Sequence, residues 1–253
     1  MKLDAMHRFY ISPENWNPDA PALTGSEAHH ARDVLRMKPA EKLVLFNGRG
    51  REITAEIVDL SGTGIQLRKL HEAETPALRS RIILGQAIPK GKNMDLIVQK
   101  AVEIGAAEIA PIISDRTVVQ VDLESGAQKH AKWQQIAIEA AKQCGQNWLP
   151  QVHAPRRLGD FFLASTTFDL RLIGSLQPDA QHLKEILADY SNEHRHLPGS
   201  VLMLIGPEGD FTPAELALAR HHGCRPITLG PIILRVETAA IYCLSVLSYE
   251  LLM

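Results

Sequence analysis

Val201-Leu202-Met203-Leu204-Ile205-Gly206-Pro207-Glu208-Gly209-Asp210-Phe211-Thr212-Pro213-Ala214-Glu215 is the stretch whose reading decides the fold class. Its first five residues are wholly apolar, as a parallel strand covered on both faces must be. Gly206–Phe211 then turns, and Thr212-Pro213-Ala214-Glu215 joins a capping box to a proline at the first helical position. Gly223 closes that helix. Strand, turn and capped helix make one unit of an open parallel sheet, and ligands bind beyond the carboxyl ends of such strands. An ordinary tight turn reads the same way, so this segment alone leaves both meanings open.

The same texture extends outward. Arg81–Ile88, Glu108–Ile113, Asp169–Ile173 and Ile227–Leu229 read as strands. Met94–Ile104 closed by Gly105, Gln128–Cys144 closed by Gly145, and Ala180–Leu187 read as helices. Strands alternating with helices predict an α/β unit with a parallel sheet. The last helix, Thr238–Leu252, is apolar almost all the way round. Ala239, Ala240, Ile241, Cys243, Leu244, Val246, Leu247, Leu251 and Leu252 cannot all face one sheet. A second subunit is expected to cover it, a central helix within one subunit being the alternative.

The first 74 residues differ. Leu43–Phe46, Glu52–Val58 and Ile65–Leu70 read as strands, parted by Asn47-Gly48-Arg49-Gly50 and Ser61-Gly62-Thr63-Gly64. Asn47-Gly48 is a strong hairpin signal. A short helix is expected near Ser26–Arg36 with Ser26 as its cap, and His71–Leu78, with Pro76, reads as a polar linker. Two domains are therefore expected, residues 1–74 and 75–253.

Hydrophobic content of 45% and charged content of 22% are ordinary for a soluble globular chain. Lys2, Asp4, His7 and Arg8 interrupt any apolar leader, and no stretch reaches the roughly 18 apolar residues of a membrane span. A cytoplasmic protein without a membrane partner is expected. Cys144, Cys224 and Cys243 lie far apart and form neither a disulfide frame nor a zinc site. A formal net charge of −2 argues against nucleic-acid binding by bulk charge, yet local patches remain. Arg32, Arg36, Lys38, Lys42, Arg49 and Arg51 form one, and Arg79, Arg81, Lys90, Lys92 and Lys100 another. Each is either a phosphate grip or a solvated face.

A second segment, Leu229-Gly230-Pro231-Ile232-Ile233-Leu234-Arg235-Val236-Glu237-Thr238, also leaves a strand through Gly-Pro and enters a helix. Its apolar run is odd for a loop unless that loop is packed. A flat apolar slot lined by backbone polar groups suits an adenine ring, and Arg235 and Glu237 flank it as loop side chains. Competing signatures fail. Gly85–Lys92 has five residues between its glycines and Asn93 after the lysine, so it is not a Walker loop. A G-x-G-x-x-G after a strand, an H-E-x-x-H and a G-x-S-x-G elbow are all missing, and the eleven histidines form no metal-ligand set.

Ile205-Gly206-Pro207-Glu208-Gly209 paired with Leu229-Gly230 and Ile233-Leu234-Arg235-Val236-Glu237-Thr238-Ala239 resembles the family that methylates N3 of uridine 1498 in 16S ribosomal RNA. That family is ribosomal small-subunit methyltransferase E, of the SPOUT class. Supporting resemblances run along the chain. His7-Arg8-Phe9-Tyr10 is similar to the family's start, with Met1–Ala5 before it. His30 with Val34-Leu35-Arg36, Lys90-Gly91-Lys92, Arg116, and Lys132-Trp133 with Glu139-Ala140 and Gln143 continue it.

The resemblance implies a PUA-like N-terminal β-barrel that binds RNA, a trefoil-knotted C-terminal sheet and a homodimer. It implies S-adenosylmethionine held by Ile173, Gly174, Leu204, Ile205, Gly206, Pro207, Glu208, Gly209, Leu229, Gly230, Ile233, Leu234 and Val236. It implies 16S rRNA within the small ribosomal subunit as partner, met by Arg8, Arg32, Arg36, Lys90, Lys92, Arg116 and Lys142, and no metal. Arg235 is the candidate stabiliser of a uridine anion, and Glu208 or Glu237 the candidate proton acceptor. Glu237 reads equally as a charge favouring the helix dipole. The chain departs from the family's common pattern at Asp210, in place of a glycine, and at Ile232 and Gln146, in place of arginines. Two alternatives stay open: a knotted methyltransferase acting on transfer RNA or a ribose hydroxyl, and a non-enzymatic RNA-binding or assembly factor.

Overall fold

The structure, a computed structural model, describes residues 6–117, 122–164 and 167–252, with Leu123 described by its backbone alone. Met1–Ala5, set before the family's start, lies outside the described residues. Two compact units share the chain: Met1–Ala77 with Ile138–Leu149, and Leu78–Ala137 with Pro150–Met253.

The first unit contains β1 (His7–Tyr10), β2 (Ala22–Leu23), α1 (Gly25–His29), β3 (Lys42–Phe46), β4 (Arg51–Asp59) and β5 (Ile65–Glu74). Its curled sheet runs β1-β3-β4-β5-β2. The hairpin between β3 and β4 turns where Asn47-Gly48 predicts it. Gly48 and Gly50 sit at φ 71° and 85°, where only glycine is free of strain. The Asn47 Oδ1 accepts from the backbone N–H of Arg49 at 2.8 Å and of Arg51 at 3.1 Å. Ile53, Ala55 and Ile57 alternate inward along β4 onto Phe9, Leu43 and Leu45.

Three local expectations are corrected here. The helix starts at Gly25 with Thr24 at its cap position and no capping side-chain bond. From His30 it widens into a π-helical turn, with Leu35 N–H bonding His30 O five residues back at 2.9 Å. The expected linker is half strand, since His71–Glu74 pairs with Arg51–Thr54. β2 covers β5 only at Ile65 and Gln66; beyond that β5 is an edge, where polar residues are tolerated.

Ile138–Leu149 belongs to this unit because its polar groups are consumed there. Asn147 Nδ2 donates to Glu52 at 2.8 Å and to Thr75 Oγ1 at 2.9 Å. Lys142 is clamped between Glu27 at 2.6 Å and Glu139 at 3.0 Å, with its side chain only 8% exposed. Burial pushes the Glu27 carboxyl up against the pull of Lys142, and Glu27 Oε2 has no partner. Lys142, expected to meet RNA, is thus nearly buried in an ion-pair cluster of this unit. Lys142→Met should lower unfolding stability by about 1 kcal/mol, because it strands the half-buried Glu27 carboxylate. Urea melts check this; unchanged stability with weakened rRNA binding would restore the RNA role.

The second unit contains β6 (Arg81–Ala87), α2 (Asn93–Ile104), β7 (Glu108–Ile113), α3 (Leu123–Cys144, its end in the first unit), β8 (Gln151–Val152), β9 (Arg156–Arg157) and α4 (Leu158–Ala164). It continues with β10 (Leu170–Gly174), β11 (Gln181–His182), α5 (Leu183–His194), β12 (Ser200–Ile205), α6 (Pro213–His221), β13 (Arg225–Thr228) and α7 (Val236–Leu252). The sheet is parallel throughout, in the order β11-β13-β10-β12-β6-β7-β8, with β9 beside β7. β12 is buried along Val201–Ile205, as its composition demands.

The α6 capping box is complete: Glu215 N–H donates to Thr212 Oγ1 at 3.3 Å, and Thr212 N–H donates to Glu215 at 2.9 Å. Gly105 ends α2 at φ 95°. The helix expected at Ala180–Leu187 starts later, at Leu183, because Gln181 and His182 first pair with β13. Leu158, Phe161 and Phe162 make α4, which the sequence pattern did not announce, and bury its face against Ile112, Leu202 and Phe211.

On the opposite face α7 packs against β6, β12 and α2 of the same chain. Ala239, Ala240, Cys243, Leu244, Leu247 and Leu251 are buried there, while Tyr242 and Tyr249 stay exposed. One chain therefore covers most of the helix that was expected to need a second subunit. Burial pushes the thiols of Cys224 and Cys243 up to about 12. Among the described residues no helix is long and apolar enough to cross a membrane.

Candidate functional site

β10 lies between β12 and β13. Ile173 is in register with Leu204, and Gly174 with Ile227, so all three strands end side by side. Their loops open together at the carboxyl edge of the sheet, where a reversal of strand order leaves a crevice. The crevice is a cavity of about 500 Å³. Gly174–Gln177 forms one wall, Ile205–Asp210 the second and Thr228–Glu237 the third. Gly209 and Gly230 take φ 90° and 105° to make the turns.

Eleven of the residues assigned to the cofactor line this cavity: Gly174, Ile205, Gly206, Pro207, Glu208, Gly209, Leu229, Gly230, Ile233, Leu234 and Val236. Ile173 and Leu204 do not. They are 1% and 0% exposed and sit in the core beneath, holding the loops from below. Ser175, Leu176, Gln177, Asn93 and Asp210 line the wall without having been expected. Gly174 after an apolar strand is the same signal as Gly206 and Gly230, and would have found the first three.

Asp210 sits at φ 68°, a left-handed conformation that aspartate tolerates better than most residues, which accounts for its standing at a glycine position. Its Oδ1 accepts from Phe211 N–H at 2.7 Å. The apolar run Ile232-Ile233 was expected to be packed, yet the two are 73% and 78% exposed, and Leu176 across the mouth is 63% exposed. The cavity has an apolar rim that its own chain does not cover.

Glu208, Glu237 and Arg235 all reach the cavity. Glu208 Oε1 accepts from Lys90 N–H at 3.1 Å, and Glu237 Oε2 from Asn93 Nδ2 at 3.2 Å. Each carboxylate is held by one oxygen and keeps the other available. Among the described residues lining the cavity, Arg235 is the one cation, and its guanidinium has no partner there. Glu237 stands in the first turn of α7 and favours the helix dipole as well.

Lys90 and Lys92 are exposed where α2 begins. Arg116 is exposed as well, and donates to the backbone oxygens of Gly209 and Asp210. In the first unit Arg8 is committed to Glu52 at 3.2 Å and to Asn147, under the Phe46 ring, with its side chain 16% exposed. Arg32 donates to Gly62 O at 2.8 Å and Gly64 O at 3.2 Å, while Arg36 is exposed. Gln146 accepts from Trp148 N–H at 3.1 Å in that unit.

The family model for an RNA methyltransferase domain matches residues 76–248, and that for an RNA methyltransferase PUA domain matches residues 23–70. Ribosomal RNA small subunit methyltransferase E of Bacillus subtilis is 30% identical over 251 residues, 97% of each chain. A Neisseria gonorrhoeae protein of the same name, solved with S-adenosyl methionine, is 32% identical, covers 97% of this chain and 98% of its own, and superposes with a TM-score of 0.83. A Legionella pneumophila protein solved with bound cofactor SAM is 34% identical over 97% and 98% of the two chains, with a TM-score of 0.85. With glycine-turned loops from three adjacent strands closing one apolar cavity and relatives matched nearly end to end, this chain belongs to the ribosomal RNA small subunit methyltransferase E family.

Proposed function

We infer that the chain is an S-adenosylmethionine-dependent ribosomal RNA methyltransferase, and we propose N3 of uridine 1498 in 16S rRNA as the atom it methylates. The observation that carries this is the cavity at the ends of β10, β12 and β13, with Arg235 unpaired on its wall. Its volume lies in the range of small-molecule sites. The residues fit the cofactor: Ile205, Leu229, Leu234 and Val236 offer an apolar slot, Gly206 and Gly230 expose backbone polar groups, and Glu208 and Asp210 suit its cationic groups. The cofactor supplies an electrophilic methyl group on a sulfonium.

The protein's share is to orient the base, exclude water and manage one proton. Uridine N3 carries an imide proton that must leave before the nitrogen is a competent nucleophile. We assign its acceptance to the free oxygen of Glu208 or Glu237, and the stabilisation of charge on the neighbouring uridine oxygen to Arg235. Exposed Arg36, Lys90 and Lys92 are proposed phosphate contacts, which position RNA without reading its sequence.

The proposal extends to residues 1–74 as a PUA-like RNA-binding domain, to residues 75–253 as the methyltransferase domain, and to a knot threaded by the segments from β12 to α7. It includes a homodimer, supported by the exposed Tyr242, Tyr249, Leu176, Ile232 and Ile233. It includes the small ribosomal subunit as the substrate particle and the cytoplasm as the place of action. The test is to incubate the protein with unmodified 16S rRNA or small subunits and labelled cofactor, then digest to nucleosides. N3-methyluridine at position 1498 is the expected product; a ribose-methylated nucleotide would overturn the target, and no label would leave an RNA-binding factor.

A further inference from the structure

The turn after β7 reaches the cofactor loop through a chain of hydrogen bonds that the family reading does not require. Glu215, buried at the start of α6, spends both carboxylate oxygens on it. Oε1 accepts from Asp115 N–H at 3.0 Å, and Oε2 from Ser114 Oγ at 3.1 Å as well as from Thr212 N–H at 2.9 Å. Ser114 Oγ in turn accepts from Arg116 N–H at 3.2 Å. Thr117 Oγ1 accepts from Ser114 N–H at 3.0 Å, and Thr117 N–H donates to Ser114 O at 2.9 Å, which closes the turn on itself. The turn so fixed sends the Arg116 guanidinium to Gly209 O and Asp210 O.

Those two carbonyls belong to consecutive residues with φ 90° and 68°, and among the described residues lining the cavity Asp210 is the one non-glycine at positive φ. A left-handed aspartate persists only where its surroundings over-determine it. The Asp210 carboxylate bonds its own neighbour Phe211, and Arg116 holds the two carbonyls. A guanidinium suits this task because it is always charged and presents several donors in a fixed plane.

We propose that Arg116 is a positioning residue, a brace that holds the Gly206–Asp210 loop in the shape that binds the cofactor, and not a phosphate contact. Glu215 and Ser114 anchor the brace to α6. The cofactor part rests on the methyltransferase reading, whereas the bracing of the loop does not.

The experiment compares wild type with Arg116→Ala and Arg116→Lys in three measurements: amide hydrogen exchange without ligand, calorimetric binding of S-adenosylmethionine, and the salt dependence of rRNA binding. Arg116→Ala should speed exchange of the Gly206–Phe211 amides and weaken cofactor binding about tenfold, as the loop loses both hydrogen bonds from its charged donor. Tm and the salt slope should stay unchanged, and lysine should restore part of the affinity. Unchanged exchange and cofactor affinity, with a salt slope reduced by about one, would overturn the brace in favour of a phosphate contact. A fall in Tm matching the loss of affinity would overturn it in favour of a general structural role. Failure of the wild type to bind the cofactor would sink the methyltransferase reading alone, and the exchange data would still decide the brace.

Discussion

Arg235→Ala is expected to lower the single-turnover rate of rRNA methylation about 10²–10³-fold while leaving the dissociation constant for S-adenosylmethionine within a few-fold of wild type. Removing one donor aimed at developing charge costs this much in sites that exclude water. Arg235 satisfies the structural condition, since it lines the cavity and, among the described residues, no carboxylate neutralises it. Its backbone is fixed, its carbonyl accepting from Ala239 N–H at 2.8 Å in the first turn of α7. Lysine keeps the charge but loses the planar fork, so Arg235→Lys should fall between the two. Quench-flow rates at saturating RNA and cofactor separate the meanings. An unchanged rate would remove Arg235 from the chemistry, and a defect confined to RNA affinity would make it a phosphate contact.

Gly206→Val is expected to weaken S-adenosylmethionine binding about 10²-fold with little change in Tm. A Cβ at this position would stand 3.2 Å from Phe211 N and 3.3 Å from Asp210 Oδ1 and Phe211 Cδ2. Two of those atoms cannot move freely: one is backbone, and the Phe211 ring is 1% exposed in the core. The loop must shift toward the cavity or the added methyls must enter it, and overpacking of this kind costs about 1–3 kcal/mol. Gly206→Ala should show a smaller loss in the same direction. Calorimetry checks both, and cofactor affinity unaffected by valine would place the cofactor away from this loop.

The parts of this site visible along the chain are those whose causes are local. Thr212-Pro213-Ala214-Glu215 announces a helix start because both halves of the capping box lie within one turn, and the structure closes it as read. Asn47-Gly48 announces its hairpin for a similar reason, the side chain of Asn47 bonding residues two and four ahead. The Gly-Pro turns after β12 and β13 marked two walls of the cavity before any strand order was known. The third wall, Gly174–Gln177, carried the same glycine-after-strand signal but was only partly expected, through Gly174.

The sequence stops short where a residue's partner is remote. Lys142 was expected to meet RNA, and its ion-pair partner Glu27 lies more than a hundred residues back in the chain. Arg116 was expected to meet RNA, and its guanidinium meets carbonyls some ninety residues on. His71–Glu74 looked like linker because polar residues on a strand edge leave no apolar alternation to detect. Ile173 and Leu204 belonged to the right strands but point beneath the cavity, and only the register of β10 with β12 settles which side chains face down.

The amino-acid order alone determined the parallel α/β class, the α6 capping box, the hairpin and the two glycine loops, because each depends on propensities and hydrogen bonds within a few residues. Folding in three dimensions set the order of β13, β10 and β12, and with it the meeting of three loops in one cavity. It also sorted the cations into those bound within the protein and those left to act. Pairing of strands and the satisfaction of buried charge are long-range events, and a side chain's chemistry is not settled until its partner has arrived.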